Sequence, residues 1–108
     1  FQYLKESVKP ELGYFTEHDD NSSYYLATLI LNEANSPETR TRLREKGCAC
    51  SFHYPPLHRT EFFRSRTFNE RLNNTYNYQN RIINLPIHQN LTKDDLDKVI
   101  EATNNQGE

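Results

Sequence analysis

Residues 24–32, YYLATLILN, form the stretch of this chain that most restricts what it can fold into. Aromatic, β-branched and long aliphatic side chains follow one another there, between clusters of Ser and Asn, which is the pattern of a buried strand. This segment predicts a central strand. The chain has 108 residues, enough for one domain with a modest core and too few for a cofactor-binding domain plus a second lobe. Everything else in it therefore has to pack around that strand.

Ahead of the strand, Phe1, Tyr3, Leu4 and Val8 suit the last turns of a helix that stops before Pro10, because proline disfavours α geometry at the preceding residue. Residues 9–23 are rich in turn formers and predict a connector. After the strand, NSPETRTRLREKG carries helix punctuation: Ser36 as N-cap, Pro37 at the first position, Glu38 in the first turn and Gly47 just past the end. Its apolar stripe is thin, with Leu43 nearly alone, so this helix is expected to be well exposed. CACSFHY predicts a second strand, with Cys48, Cys50 and Phe52 on one face and Ala49, Ser51 and His53 on the other. Pro55-Pro56 ends it, since proline cannot donate to a ladder.

Residues 59–75 predict an irregular polar loop, and TYNYQNRII a short helix that feeds an extended NLPIH. In LTKDDLDKVIEAT, Thr92 caps a helix, Asp95 completes a capping-box-like pair, and Leu96, Val99 and Ile100 form the apolar face. The tail from Asn104 is expected to fray. The order of elements gives an α+β fold, helices packed on one face of a small sheet.

The formal net charge is −2, which supplies no broad attraction toward phosphate backbones. The longest apolar run, Leu26–Leu31, is far short of a membrane span, and the opening residues lack a charged-then-apolar leader. A cytoplasmic protein without membrane or nucleic-acid partners is the resulting expectation. The sequence has no methionine and opens on an uncapped helical phrase, FQYLKESV. Residue 1 is accordingly expected to lie inside a longer natural protein.

Chemistry concentrates in SFHYPPLHRTEFF, residues 51–63. Cys48, Cys50, His53 and His58 are zinc-type ligands, but on one strand His53 points away from the two cysteines, and Cys-x-Cys lacks the separation of a zinc knuckle. Both cysteines suit small buried hydrophobes in a reducing compartment, and no metal is expected. Arg59, Arg64, Arg66 and Arg71 interleave with three phenylalanines, as in RNA-binding sheets. The acidic balance and the missing aromatic-glycine strand signature oppose that reading. No nucleophile-elbow frame or cysteine-protease setting accompanies Ser51 or the histidines, so no catalytic residue is assigned.

REKGCACSFHYPPLH, followed about two dozen residues later by RIINLPIHQNLTKDDLDKVIEA, resembles the C-terminal domain of the DegT/DnrJ/StrS family of pyridoxal-phosphate-dependent nucleotide-sugar aminotransferases. The match is close over residues 42–103 and looser over YYLATLIL, and residues 1–8 look like the end of the helix joining the two domains. Departures are Thr39, Arg40 and Thr41, where the family's helix has a fuller apolar stripe, and the polar loop 59–75, which has no clear counterpart.

The resemblance implies that residues 1–108 are the small domain of a fold-type I transferase. An N-terminal domain of the same protein would hold pyridoxal phosphate on a Schiff-base lysine, and the complete enzyme would be a homodimer acting on a nucleotide-linked ketosugar. None of Lys5, Lys9, Lys46, Lys93 and Lys98 lies in that lysine's motif, so this chain is expected to hold no cofactor and to be inactive alone. His53, Tyr54 and His58 are the implied substrate contacts, with Arg59 a weaker candidate for phosphate. Plainer roles compete: Tyr54 as core packing, and His58 as a backbone brace for the double-proline turn. His88 is assigned to structure. A standalone binding module, RNA-binding-like or an interaction domain, is the alternative.

Overall fold

The computed structural model describes residues 1–52, 54, 56–64 and 72–105, with His58 and Phe63 described through their backbone alone. Among these, three strands, β1 (Gly13–Phe15), β2 (Ala27–Leu31) and β3 (Ile82–Leu85), form an antiparallel sheet in that order. The apolar run predicted as central is the middle strand. Leu29 pairs with Phe15 on one side and Ile83 on the other.

Because side chains alternate across a strand, this register puts Phe15, Ala27, Leu29, Leu31, Ile83 and Leu85 on one face. All six belong to a single buried cluster that also contains Leu4 of helix α1 (Gln2–Ser7), Leu43 of α2 (Ser36–Glu45), and Val99 and Ala102 of α5 (Lys93–Asn104). Helices α1, α2 and α5 thus cover one face, as expected. On the opposite face Tyr14 is half exposed, and Thr28 Oγ1 donates to Asn84 Oδ1 at 2.6 Å. The remaining helical segments are α3 (Glu61–Arg64) and α4 (Asn73–Tyr78).

Several elements differ from expectation, each for a specific reason. The connector 9–23 contains β1, made possible by Gly13, whose bare Cα lies tight against the Ile30 carbonyl; three residues are too few to register as an alternating pattern. Ile82 and Ile83, expected in a helix, join β3 instead. There they pair with Ile30 and Leu29, and Arg81 Nε donates to the Leu31 carbonyl at 2.6 Å. Cross-strand pairing of β-branched residues outweighs the helical composition upstream. Residues 61–64, inside the expected loop, form a helical turn.

Helix α2 begins one residue earlier than read, with Asn35 rather than Ser36 as N-cap. It ends as expected: Gly47 has φ +84°, its N–H donates to the Arg44 carbonyl at 2.9 Å, and Cys48 N–H reaches back to Leu43 at 2.8 Å. That pair of bonds is a Schellman motif, which needs a residue tolerant of positive φ. The helix is mostly exposed, but Ser36 and Thr39 share the fully buried strip with Leu43, so small polar side chains replace the missing apolar stripe.

The capping box of α5 is present, with Asp95 N–H donating to Thr92 Oγ1 at 3.1 Å and Thr92 N–H donating to Asp95 Oδ2 at 3.0 Å. Asn104 is anchored rather than frayed. Its side chain accepts from Lys9 N–H at 2.8 Å and donates to the Ser7 carbonyl at 3.0 Å, tying the end of α1 to the end of α5.

Candidate functional site

Helix α2 and its Schellman turn deliver Ser51 to the outer edge of β3. CACSFHY does not form the expected strand. Cys48–Cys50 lie outside helix and strand, and a lone antiparallel bridge joins Ser51 to Asn84 through reciprocal bonds of 3.1 and 2.9 Å. The Schellman turn immediately before and the prolines at 55 and 56 immediately after leave too few ladder donors for a longer pairing. The two cysteines do share one side, as expected, with sulfurs 3.8 Å apart.

Asn84 is the anchor of this edge. It is 4% exposed, its backbone holds Ser51, and its side chain holds Thr28 of the middle strand. Phe52, half-buried, lies under the Arg40 guanidinium at 4.8 Å, a cation–π contact that fixes the segment against α2.

Beyond Phe52 the chain leaves the sheet. Tyr54 is 74% exposed, so the core-packing role does not hold in this chain. Leu57–Arg59 form a 3-10 turn in which Arg59 N–H donates to the Pro56 carbonyl at 2.9 Å. His58 lies in that turn and Arg59 is exposed on it. His53 and Pro55 fall outside the described residues, as does the His58 side chain. Thr60 closes the turn, its hydroxyl donating to the Leu57 carbonyl at 2.7 Å, and the Arg64 guanidinium donates to the Arg59 carbonyl at 3.3 Å. Leu57 and Phe62 are largely exposed as well. The result is a braced projection presenting a tyrosine, two apolar side chains and an arginine outward.

Sequence reading missed the residues that hold this projection, Asn84, Arg40 and Arg64. A signal existed for Asn84, a lone amide inside the apolar IINL run. His88 serves the turn after β3: its Nδ1 accepts from Asn90 N–H at 3.2 Å and its carbonyl accepts from Leu91 N–H at 3.2 Å, in keeping with the structural role assigned to it.

The DegT/DnrJ/EryC1/StrS aminotransferase family model matches residues 2–104. The chain belongs to this family. The spore coat polysaccharide biosynthesis protein SpsC of Bacillus subtilis (strain 168) is 26% identical over 109 residues, covering 94% of this chain and 27% of SpsC. Among solved structures, the putative sugar aminotransferase Spr1654 from Streptococcus pneumoniae superposes with a TM-score of 0.82 at 21% identity, over 97% of this chain and 28% of that one. The aminotransferase TlmJ from Streptoalloteichus hindustanus gives 0.78 at 20% identity, over 97% and 28%. These likenesses establish the fold, and the chain spans little more than a quarter of the length of the relatives it matches.

Members of this family use pyridoxal phosphate, and Spr1654 is also known in a PMP-form. A Schiff-base lysine works by desolvation or by a cationic neighbour that lowers its pKa. Lys5, Lys9, Lys46, Lys93 and Lys98 are all exposed. Lys46 donates to the Asn105 carbonyl, and Lys93 stands over the Tyr3 ring at 5.9 Å. These settings do not fit the cofactor's attachment. Among the described residues no group of three or more His, Cys, Asp or Glu could hold a metal ion, and no helix is long and apolar enough to cross a membrane.

Proposed function

We propose that this chain is the C-terminal small domain of a cytoplasmic aminotransferase that acts on a nucleotide-linked ketosugar, and that residues 51–59 form the sugar-side wall of its cleft. Family membership supports the aminotransferase reading. The observation that carries the role of the chain is the braced projection that leaves β3 at Ser51 and presents Tyr54 at 74% exposure where the family motif SFHYPPLH stands. An exposed arginine on a turn held by backbone bonds, and an exposed tyrosine just ahead of it, suit a polar ligand, because the phenol and guanidinium donate.

In this reading residues 1–8 are the end of the interdomain helix. A large N-terminal domain of the same protein supplies the lysine and holds pyridoxal phosphate, which acts as the electron sink for amino transfer when bound. The complete enzyme is a homodimer. His53, Tyr54 and His58 contact the sugar nucleotide, Arg59 approaches its phosphates, and this chain by itself holds no cofactor. The exposure of all five lysines supports the last point.

Steady-state and half-reaction kinetics of the complete enzyme test the assignment. His53→Ala and His58→Ala are expected to raise KM for the sugar nucleotide about tenfold to a hundredfold, the cost of one charge-capable hydrogen bond. The half-reaction with the amino-acid donor is expected to stay nearly intact, because it depends on the cofactor held elsewhere. Wild-type sugar kinetics with a lowered Tm in both variants would make the histidines braces of the double-proline turn instead.

A further inference from the structure

Cys48 and Cys50 play no part in the proposed site, yet their arrangement is specific. Their sulfurs are 3.8 Å apart and hydrogen-bonded to each other; Cys48 is 5% exposed and Cys50 partly exposed. Cys48 also lines a groove of about 770 Å³ between α5 and the segments around 46–49 and 86–91. We propose that these two thiols form a peroxide-reactive dithiol, a modification site that a hydroperoxide converts to an intramolecular disulfide. The thiolate is the nucleophile, and either sulfur can donate in the bond that joins them; with Cys50 donating, the bond lowers the Cys48 pKa, while the same bond, burial and the Cys48 charge push Cys50 up. Cys48 therefore ionises first while Cys50 keeps its proton.

The Cys48 thiolate attacks one peroxide oxygen. The O–O bond breaks, hydroxide or alkoxide leaves, and the sulfur becomes a sulfenic acid. Capping Cys48 removes the charge that held Cys50 protonated, so the Cys50 sulfur attacks the sulfenic sulfur, the S–O bond breaks and water leaves. Two electrons pass from the thiols to the peroxide. To reach the disulfide distance of about 2.05 Å the sulfurs close by less than 2 Å, roughly, in a segment without ladder hydrogen bonds to break. A hydroperoxide reaches Cys48 along the groove.

The test is titration of the reduced, purified protein with hydrogen peroxide, followed by thiol counting and intact mass. One equivalent is expected to remove both thiols together and give a chain two hydrogens lighter, with dithiothreitol restoring both. Cys50→Ser is expected to lose its one thiol to a dimedone-trappable sulfenic acid at Cys48, and Cys48→Ala to oxidise no faster than the urea-unfolded chain. Thiols lost singly to sulfinic acid, or a disulfide that joins two chains, would overturn the proposal. The wild-type mass decides it even where Cys48→Ala does not fold.

Discussion

Gly13 and Gly47 are glycines for different reasons, and the reasons predict different outcomes on substitution. A Cβ at Gly13 would fall inside contact of the Ile30 carbonyl oxygen and press on Leu31 Cα at 3.0 Å; both are backbone of the middle strand and cannot yield. A Cβ at Gly47 would meet nothing within 4 Å, but φ is +84°. In thermal and urea unfolding, Gly47→Ala is expected to cost about 1–2 kcal/mol, the left-handed penalty alone. Gly13→Ala is expected to cost more than Gly47→Ala and to detach β1, read as faster amide exchange at residues 13–15. Equal effects would contradict the close approach. Gly47 was legible in the sequence because helix punctuation precedes it; Gly13 was not, since what it makes room for lies seventeen positions along the chain.

Elements were readable where the determinants are local. In α5 the cap, the box partner and the apolar face lie within a dozen residues, and all appear as read. In β2 a dense apolar run admits little besides a buried strand. By contrast, β1, the Ile82–Ile83 half of β3 and the broken edge at 48–52 are decided by partners far along the chain, and their composition alone pointed to connector, helix and strand; the extended NLPIH supplied the other half of β3 as read. The α5 cap makes a pH prediction with a definite sign. Hydrogen bonds from the Thr92 N–H and hydroxyl, then the nearby Lys98 and His88, hold the Asp95 carboxyl below its ordinary range despite slight burial. A depressed folded value means that Asp95 stabilises α5 above the unfolded carboxylate pKa and loses that contribution as pH falls through the folded value. The Tm difference between wild type and Asp95→Asn is therefore expected to be largest near neutrality and to vanish in strong acid. Separately, Thr92→Ala should cost about 1 kcal/mol, the usual loss of an N-cap.

Among the described residues, α1, α2 and α5 cover one face of the sheet, Asn104 ties the end of α1 to the end of α5, and one edge extends into the projection at 51–59. Tyr54 and Arg59 were recognisable only through the family motif, since composition fits a loop as well as a site. What the motif could not give was the support, because Asn84, Arg40 and Arg64 act through contacts far from it in sequence. Incubated alone with pyridoxal phosphate, the chain is expected to give only scattered surface-lysine adducts after borohydride treatment, because every lysine is exposed. A stoichiometric adduct at one lysine would contradict the division of roles between this chain and the rest of the enzyme.

Hydrogen–deuterium exchange of the complete enzyme probes the proposed role of residues 51–60, comparing their peptides with and without nucleotide sugar and, separately, with the amino-acid donor. Slower exchange across 51–60 on adding the nucleotide sugar, and little change with the donor, is the outcome expected if the projection faces the sugar as proposed. Protection by the donor alone, or none by the nucleotide sugar at saturation, would contradict it.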